Sequence, residues 1–208
     1  MPILESLAKD HRALEQLLST LAQTPSSAPE DRIATFGRLQ SLVHAHARAE
    51  EEVVYRRLRS ALPDEEKTLE AYEEHHVADL LLQELASGCP GGPGWSAKLR
   101  VFEELLRHHI KEEELTLFKL IGEGFDNAKL ARMGEEFELL KHEKLEKFLG
   151  PLRRAAPAFA GRATVSAQAA AGRLVRRSEL QVRRVLARLG KRRSGAKARE
   201  EVAEETVE

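Results

Sequence analysis

Four successive segments of the chain have an apolar face that a histidine interrupts near its middle. In each segment the apolar residues recur at alternating spacings of three and four, which is the period of one face of an α-helix. None of the segments alternates with the period of two that is typical of a strand. The pattern therefore predicts an all-α protein whose helices bury these faces against one another. The histidines on the four faces are His11, His46, His75 and His109.

Clusters of proline and glycine divide the first 150 residues into five segments that are each long enough for a helix. Because short loops between long helices make neighbours antiparallel, the sequence predicts an up-down-up-down four-helix bundle with an extra, fifth helix. We expect residues 1–149 to form this bundle. The segments span roughly 3–23, 30–60, 64–87, 95–121 and 126–149.

Cysteine content and hydropathy indicate where such a chain resides. Cys89 is the only cysteine in the sequence, so no disulfide can form within the chain, which fits a reducing compartment. No apolar run approaches the ~20 residues that a membrane-spanning helix needs. Charged residues soon after Met1 interrupt any apolar stretch of a signal peptide. The sequence predicts a cytoplasmic protein without a membrane partner.

The charge is distributed unevenly along the chain. Residues 150–208 contain 14 Lys and Arg against 6 Glu, a net charge of +8, whereas the whole chain has a net charge of −1. We expect a linker over 150–163, a basic amphipathic helix within 164–190 and an acidic tail, partly disordered. This arm could bind nucleic acid nonspecifically, an acidic partner or the acidic bundle itself. It contains no motif for reading a base sequence.

Two of the four faces add a glutamate four residues after the histidine, at Glu50 and Glu113. Burying a carboxylate costs several kcal/mol unless a partner compensates its charge. Residues at i and i+4 lie one above the other on a helix, so each His–Glu pair can reach one small volume. Counting from the helix ends places the four histidines within roughly 5 Å of one another along the bundle, at 1.5 Å per residue. The candidate metal ligands are His11, His46, Glu50, His75, His109 and Glu113.

Other two-metal bundles and other metals fit the pattern less well. Ferritin-like sites use Glu-x-x-His pairs on two helices, and Glu73–His76 is the only such pair here. Structural zinc sites take four ligands, often cysteine, whereas six candidates converge here. Mixed imidazole and carboxylate ligation suits iron better, so we expect iron and regard zinc as the less favoured metal.

The remaining histidines and glutamates of these segments lie off the four faces. His44, His76 and His108 are interpreted as supporting or surface residues, with His76 as a substitute for His75 if the register is shifted. His142, on the fifth helix, is expected to be exposed. The neighbouring acidic residues are expected to form a solvated face: Glu51, Glu52, Glu112 and Glu114.

The order His11, His46-Ala-Arg-Ala-Glu50, His75, His109-Ile-Lys-Glu-Glu113 resembles the hemerythrin and HHE cation-binding family, over about residues 1–122. The resemblance implies a non-haem di-iron centre in which Glu50 and Glu113 bridge two iron ions and the four histidines are terminal ligands. Oxygen-carrying members have a fifth histidine one turn after the third-helix histidine, where this chain has Asp79. Asp79 could ligate, hydrogen-bond to a ligand or face solvent, and its presence argues against simple oxygen carriage.

Three functional classes are consistent with such a chain. The first is a protein that binds or senses oxygen or nitric oxide, or handles iron. The second is an enzyme that degrades peroxide or reactive nitrogen species at the same centre. The third is an adaptor with a structural metal and a basic interaction arm. We expect a metal-binding or sensing protein more than an enzyme, and we assign no catalytic residue.

Overall fold

The computed structural model of the protein describes residues 1–61, 65–90 and 92–159, and these residues are helical apart from short connections. No strand occurs in these three ranges, as the sequence predicts. Two π-helical turns, Glu51–Tyr55 and Glu113–Leu117, lie where α2 continues into α3 and α5 continues into α6. The α-helices are α1 (Ile3–Gln23), α2 (Pro29–Glu50), α3 (Arg56–Ala61), α4 (Glu65–Ala86), α5 (Pro93–Glu112), α6 (Phe118–Gly124) and α7 (Asn127–Phe159).

Four of these helices close into a ring. α1 packs against α2, α2 against α4, α4 against α5, and α5 against α1. This is the predicted four-helix bundle, and α7 is the extra helix, packed against α1 and α2. Within the described ranges, no helix is both long enough and apolar enough to span a membrane.

Proline and acidic residues favour the starts of two helices. Pro29 and Pro93 occupy the first turns of α2 and α5, where the fixed proline φ suits a helix and the missing N–H would have had no helical partner. Glu30 and Asp31 follow Pro29, and their negative charges interact favourably with the positive, N-terminal end of the α2 dipole.

Apolar layers enclose the level of the histidines on both sides. On one side, Leu14, Leu18 and Phe102 are almost completely buried. On the other, Met133 and Phe137 of α7 join a core cluster with residues of the other helices. Burying one side chain of this size stabilises the fold by about 1.5–3 kcal/mol. The polar level is therefore sealed from water by packing rather than by a loop. Further members of the cluster are Ile3, Leu7, Val53, Val54, Leu58, Leu117 and Ile121.

The chain approaches α7 closely at Gly134. A Cβ atom at this position would lie 2.0 Å from the carbonyl oxygen of Met1. The absence of a side chain at Gly134 lets the start of the chain cross α7 and bring Ile3 into the core.

The π turns change which residues continue the buried face. Continued past Glu113, the spacing of three and four residues would bury Thr116 and Leu120, but Leu117 and Ile121 are the buried residues. A π turn inserts one extra residue, so the face moves forward by one position. The regular spacing of three and four contains no signal for this insertion.

α7 also extends beyond its predicted end at residue 149, as far as Phe159. Residues 150–159 were expected to be linker, yet the leucine, arginine and alanine residues among them favour a helix. The predicted helix within 164–190 and the acidic tail lie outside the described residues.

Candidate metal centre

The structure brings all six predicted ligands together in the interior of the bundle, each at most 5% exposed. They form two groups of three, and in each group one ligand atom from every residue lies within 4.8 Å of the others. One group consists of His11, His46 and Glu113, and the other of Glu50, His75 and His109.

Short distances define the two groups. In the first, Nε2 of His11 lies 3.2 Å from Oε2 of Glu113. In the second, Nε2 of His75 lies 3.1 Å from Nε2 of His109 and 3.6 Å from Oε2 of Glu50. Two ring nitrogens at this separation are close enough to ligate one ion.

Each His–Glu pair of the sequence is divided between the two groups. Nε2 of His46, in the first group, lies 3.5 Å from Oε2 of Glu50, in the second. Nε2 of His109, in the second group, lies 3.8 Å from Oε2 of Glu113, in the first. The two carboxylates therefore lie between the groups, a placement suited to two cations that share both of them.

Tyr55 connects the carboxylates from one side and was not identified from the sequence. Its Oη atom lies 3.1 Å from Oε2 of Glu50 and 2.9 Å from Oε1 of Glu113. Burial, together with the charges of Glu113 and Glu50, raises the pKa of Tyr55 well above its usual value. The phenol therefore keeps its proton, which it can donate to either carboxylate. Tyr55 closes the first π turn.

The buried charges at the centre are poorly compensated. Burial and the nearby charge of Glu113 raise the pKa of Glu50 well above its usual value. Burial acts in the same direction on Glu113, but the adjacent imidazoles of His11 and His109 lower the pKa of Glu113. Burial lowers the pKa of His46 to about 4 against the opposing effect of Asp10. His46 is therefore neutral at physiological pH, as a metal ligand must be.

Four inward atoms test whether a cation fits these residues. Nε2 of His11, Nε2 of His46, Oε1 of Glu50 and Oε2 of Glu113 are buried and have no hydrogen-bond partner in the described part of the chain. Each buried polar atom left in this state costs about 1–3 kcal/mol. Imidazole nitrogens and carboxylate oxygens are the donors that iron and similar transition metals take. A pair of metal cations would compensate all four atoms. The residues of the centre therefore fit a two-metal site.

In each of the four histidines of the centre, the other ring nitrogen, Nδ1, contacts a carboxylate. Such pairing is usual for metal-binding histidines, because it fixes the tautomer and the ring orientation. It directs Nε2 of each ring to the interior. The pairs are His11–Glu114 at 2.8 Å, His46–Asp10 at 3.2 Å, His75–Glu51 at 3.1 Å and His109–Glu74 at 2.9 Å.

These four contacts form a closed ring around the bundle. α1 provides Asp10 to the histidine of α2, and the π turn after α2 provides Glu51 to the histidine of α4. α4 provides Glu74 to the histidine of α5, and the π turn after α5 provides Glu114 to the histidine of α1. Every helix of the ring therefore positions a histidine of its neighbour.

Two of these acids correct the sequence analysis. The prediction that Glu51 belongs to a solvated face is wrong, because its side chain is 13% exposed and contacts His75. Glu114 is 42% exposed, yet it contacts His11 as well. The sequence did contain a sign that these acids belong to the centre, since each of the four is adjacent in sequence to a predicted ligand. The cross-helix partner of each acid could not be read from that adjacency.

Asp79 is directed to Arg48 and not to the two groups. Its carboxylate forms an ion pair with Arg48 and lies 3.8 Å from Nδ1 of His44. Arg48 in turn bonds to Glu51, the partner of His75. The observed role is none of the three left open for Asp79: its carboxylate pairs with Arg48 and is connected to His75 only through Arg48 and Glu51.

The remaining histidines stay outside the two groups, as predicted. His76 and His142 are exposed. His44 packs against Phe148. His108 lies at the surface beside Glu112.

A small cavity of about 20 Å³ adjoins the candidate centre. The imidazoles of His46, His75 and His109 line one part of it, together with Glu74. A space of this size holds one small molecule. The rest of the lining is apolar: Leu14, Val43, Ala47, Ala78, Leu105, Leu106 and Ile110.

Known proteins resemble this chain in sequence and in fold. The Hemerythrin HHE cation binding domain matches residues 3–121. A DNA nickase of Nostoc sp. is 31% identical over 150 residues, which are 72% of this chain and 42% of that relative, so the chain spans less than half of the relative's length. The crystal structure of a Hemerythrin HHE cation binding domain-containing protein from Mycobacterium kansasii has the same fold, with a TM-score of 0.66 at 24% identity over 78% of this chain and 96% of that one. The family match covers more than half of the chain, and the protein belongs to the hemerythrin HHE cation-binding domain family.

Proposed function

We propose that the protein binds two iron ions in the bundle and uses them to bind or sense a small molecule such as oxygen or nitric oxide. The observation that carries the proposal is the set of four buried ligand atoms without hydrogen-bond partners, divided between two adjacent groups. A single cation would leave part of this set uncompensated. Zinc is a weaker candidate, because these donors include no cysteine and exceed the four that structural zinc takes.

The ligand roles follow from the two groups. His11 and His46 would hold one ion, and His75 and His109 the other. Glu50 and Glu113 would bridge them, since each lies near a histidine of both groups. Bound iron would supply a redox-active centre to which a small molecule can coordinate.

The chain's own residues would prepare the site for such a molecule. The four carboxylates on Nδ1 hold the histidine rings before any ion binds. Tyr55 holds a proton beside both bridging carboxylates. The cavity is apolar apart from its histidine and Glu74 lining, and it admits a diatomic gas more readily than a larger or charged substrate. The alternative is an enzyme that degrades peroxide or reactive nitrogen species at the same centre.

Metal analysis and optical spectra test the proposal directly. The full chain, loaded anaerobically with ferrous iron and desalted, should retain two iron ions and change its absorption on exposure to nitric oxide or oxygen. Steady consumption of added peroxide would favour the enzyme instead. Retention of one ion, or spectra unchanged by all three ligands, would contradict the proposal.

A matched pair of substitutions locates the effect. Glu50→Ala should lose iron and the spectral response, because it removes a bridging carboxylate. Glu52→Ala should keep both, because Glu52 pairs with Lys144 at the surface. Equal iron content in the two variants would remove Glu50 from the centre.

A second candidate function concerns DNA. The relative from Nostoc sp. is named a DNA nickase, and residues 150–208 have a net charge of +8. We propose that the basic arm binds nucleic acid nonspecifically while the bundle provides the metal. Binding of a DNA duplex should weaken steeply with salt and be lost on deletion of residues 160–208. Nicking of supercoiled plasmid that requires both iron and the arm would support an activity on DNA, and salt-independent binding would contradict the electrostatic mechanism.

A further inference from the structure

A third cluster of potential metal ligands lies at the surface of α4 and α5, outside the two central groups. It consists of Glu74, His108 and Glu112, whose ligand atoms lie within 4.8 Å of one another. Nε2 of His108 is 3.1 Å from Oε2 of Glu112 and 3.9 Å from Oε1 of Glu74. The side chains of His108 and Glu112 are 39% and 30% exposed, so an ion could reach them from solvent.

Glu74 is the member of this cluster that the fold leaves unsatisfied. The residue is only 5% exposed. Its Oε2 atom lies 2.9 Å from Nδ1 of His109. Its Oε1 atom is buried, has no hydrogen-bond partner in the described ranges and is directed to the side where His108 lies. One carboxylate therefore has a satisfied oxygen on the inner side and an unsatisfied oxygen on the outer side.

The charges around the cluster favour a cation. Glu74 and Glu112 are both carboxylates, and the ammonium group of Lys67 lies 2.6 Å from Oε1 of Glu112. Lys67 also lies 3.5 Å from Glu70, a third carboxylate. Oε2 of Glu112 is turned to His108 and not to Lys67. Lys67 is thus shared between the carboxylates of Glu70 and Glu112.

We propose that Glu74, His108 and Glu112 form a peripheral binding site for a third divalent transition-metal cation. One imidazole nitrogen and two carboxylate oxygens would hold the ion, and water would complete its coordination at the exposed side. The ion would satisfy Oε1 of Glu74, whose other oxygen positions His109. The proposal does not depend on the identity or number of ions in the centre.

Zinc binding by the full chain tests the site, with wild type compared with His108→Ala. Equilibrium dialysis followed by elemental analysis should give one zinc ion fewer per chain for the variant. His76→Ala is the matched control, because His76 is an exposed histidine on α4 and lies outside all three clusters. It should bind as much zinc as wild type. Equal zinc content in His108→Ala and wild type would overturn the proposal.

A substitution with the opposite effect separates a local site from a general loss of binding. Lys67→Met removes a competing positive charge, so the peripheral ion should bind about fivefold more tightly. Weaker or unchanged binding in Lys67→Met would contradict the site. All six central candidates remain in these variants, so a failure of the central proposal would leave the one-ion difference in place.

Anomalous scattering from zinc-soaked crystals of the wild type provides a readout that no misfolded variant can obscure. A peak within bonding distance of Oε1 of Glu74 and Nε2 of His108 is expected. Absence of that peak at a zinc concentration that fills the centre would overturn the proposal.

Discussion

Lys141 in α7 and Asp10 in α1 form an ion pair, with 2.8 Å between Nζ and Oδ1. The other oxygen of Asp10 lies 3.2 Å from Nδ1 of His46. Burial acts to raise the pKa of Asp10, but its hydrogen bond with His46 and the ammonium group of Lys141 hold the pKa below its usual value. α7 lies outside the ring of four helices, yet it supports the candidate centre through this carboxylate and through Phe137, which packs on the ring of His46.

We therefore predict that Asp10→Ala weakens metal binding by about 10- to 100-fold, the usual cost of losing a carboxylate that orients a ligating histidine. Lys141→Ala should act in the same direction with a smaller effect, because Asp10 would remain. Competition with a chromophoric chelator measures both. Lys147→Ala is the control, since Lys147 pairs with Glu143 in solvent. An affinity of Asp10→Ala equal to that of the control would show that this contact does not position His46.

A second prediction compares the buried Glu113 with the exposed Glu123. Glu113→Ala should remove most of the bound metal, because Glu113 lies beside histidines of both groups. Glu123→Ala should keep the bound metal, because Glu123 is exposed and forms an ion pair with Lys119 at the surface, with 4.0 Å between the charged atoms. Elemental analysis of the two desalted proteins decides the matter. If the two variants retain the same amount of metal per chain, the assignment of Glu113 to the two groups is wrong.

The fold and the six central residues could be predicted because both depend on local spacing. Positions three and four residues apart share a helical face, so His46 and Glu50 had to lie together once α2 formed. The four histidines then met because each occupies a similar distance from the end of its helix. These relationships need only a regular helix and a short loop.

The supporting residues could not be predicted, because they depend on the helix pairs that contact one another. Glu74 is adjacent to His75 in sequence but bonds to His109 on another helix. Tyr55 reaches Glu113 from a π turn that the spacing does not signal. Sequence alone also leaves the role of Asp79 undecided, since its contact with Arg48 depends on how α2 and α4 are rotated.

Removal of metal should destabilise the bundle. Without a cation, the buried atoms of His11, His46, Glu50 and Glu113 remain uncompensated. An ion present at about 1,000 times its dissociation constant adds about 4 kcal/mol to the free energy of unfolding. The chelator-treated protein should therefore melt at a distinctly lower temperature by calorimetry, and reloading with ferrous iron should restore the transition. Identical melting temperatures before and after chelation would contradict a structural contribution from the centre.

Gly134→Ala should destabilise the fold by about 1–3 kcal/mol, the usual cost of overpacking. Its Cβ would meet Met1 at 2.0 Å, and displacing Met1 would pull Ile3 from the core. Gly37→Ala is the matched control, because nothing lies within 4 Å of its Cβ. As an alanine within α2 it should stabilise the protein slightly. Urea unfolding of both variants measures the difference, and equal midpoints would mean that the start of the chain does not cross α7 at Gly134.

The last prediction separates α7 from the basic residues that follow it. Deleting residues 160–208 should leave metal content and melting temperature unchanged, because every residue of the two groups and every acid on their histidines lies between Asp10 and Glu114.

Deleting residues 127–208 removes α7 as well, including Met133 and Phe137, which are fully buried. Each contributes about 1.5–3 kcal/mol, and the ion pair of Lys141 with Asp10 is lost with them. This shorter protein should unfold at a lower denaturant concentration and bind metal more weakly. Retention of full stability without α7 would show that the ring of four helices is sufficient, and loss of metal on removal of 160–208 alone would show that the arm contributes to the centre.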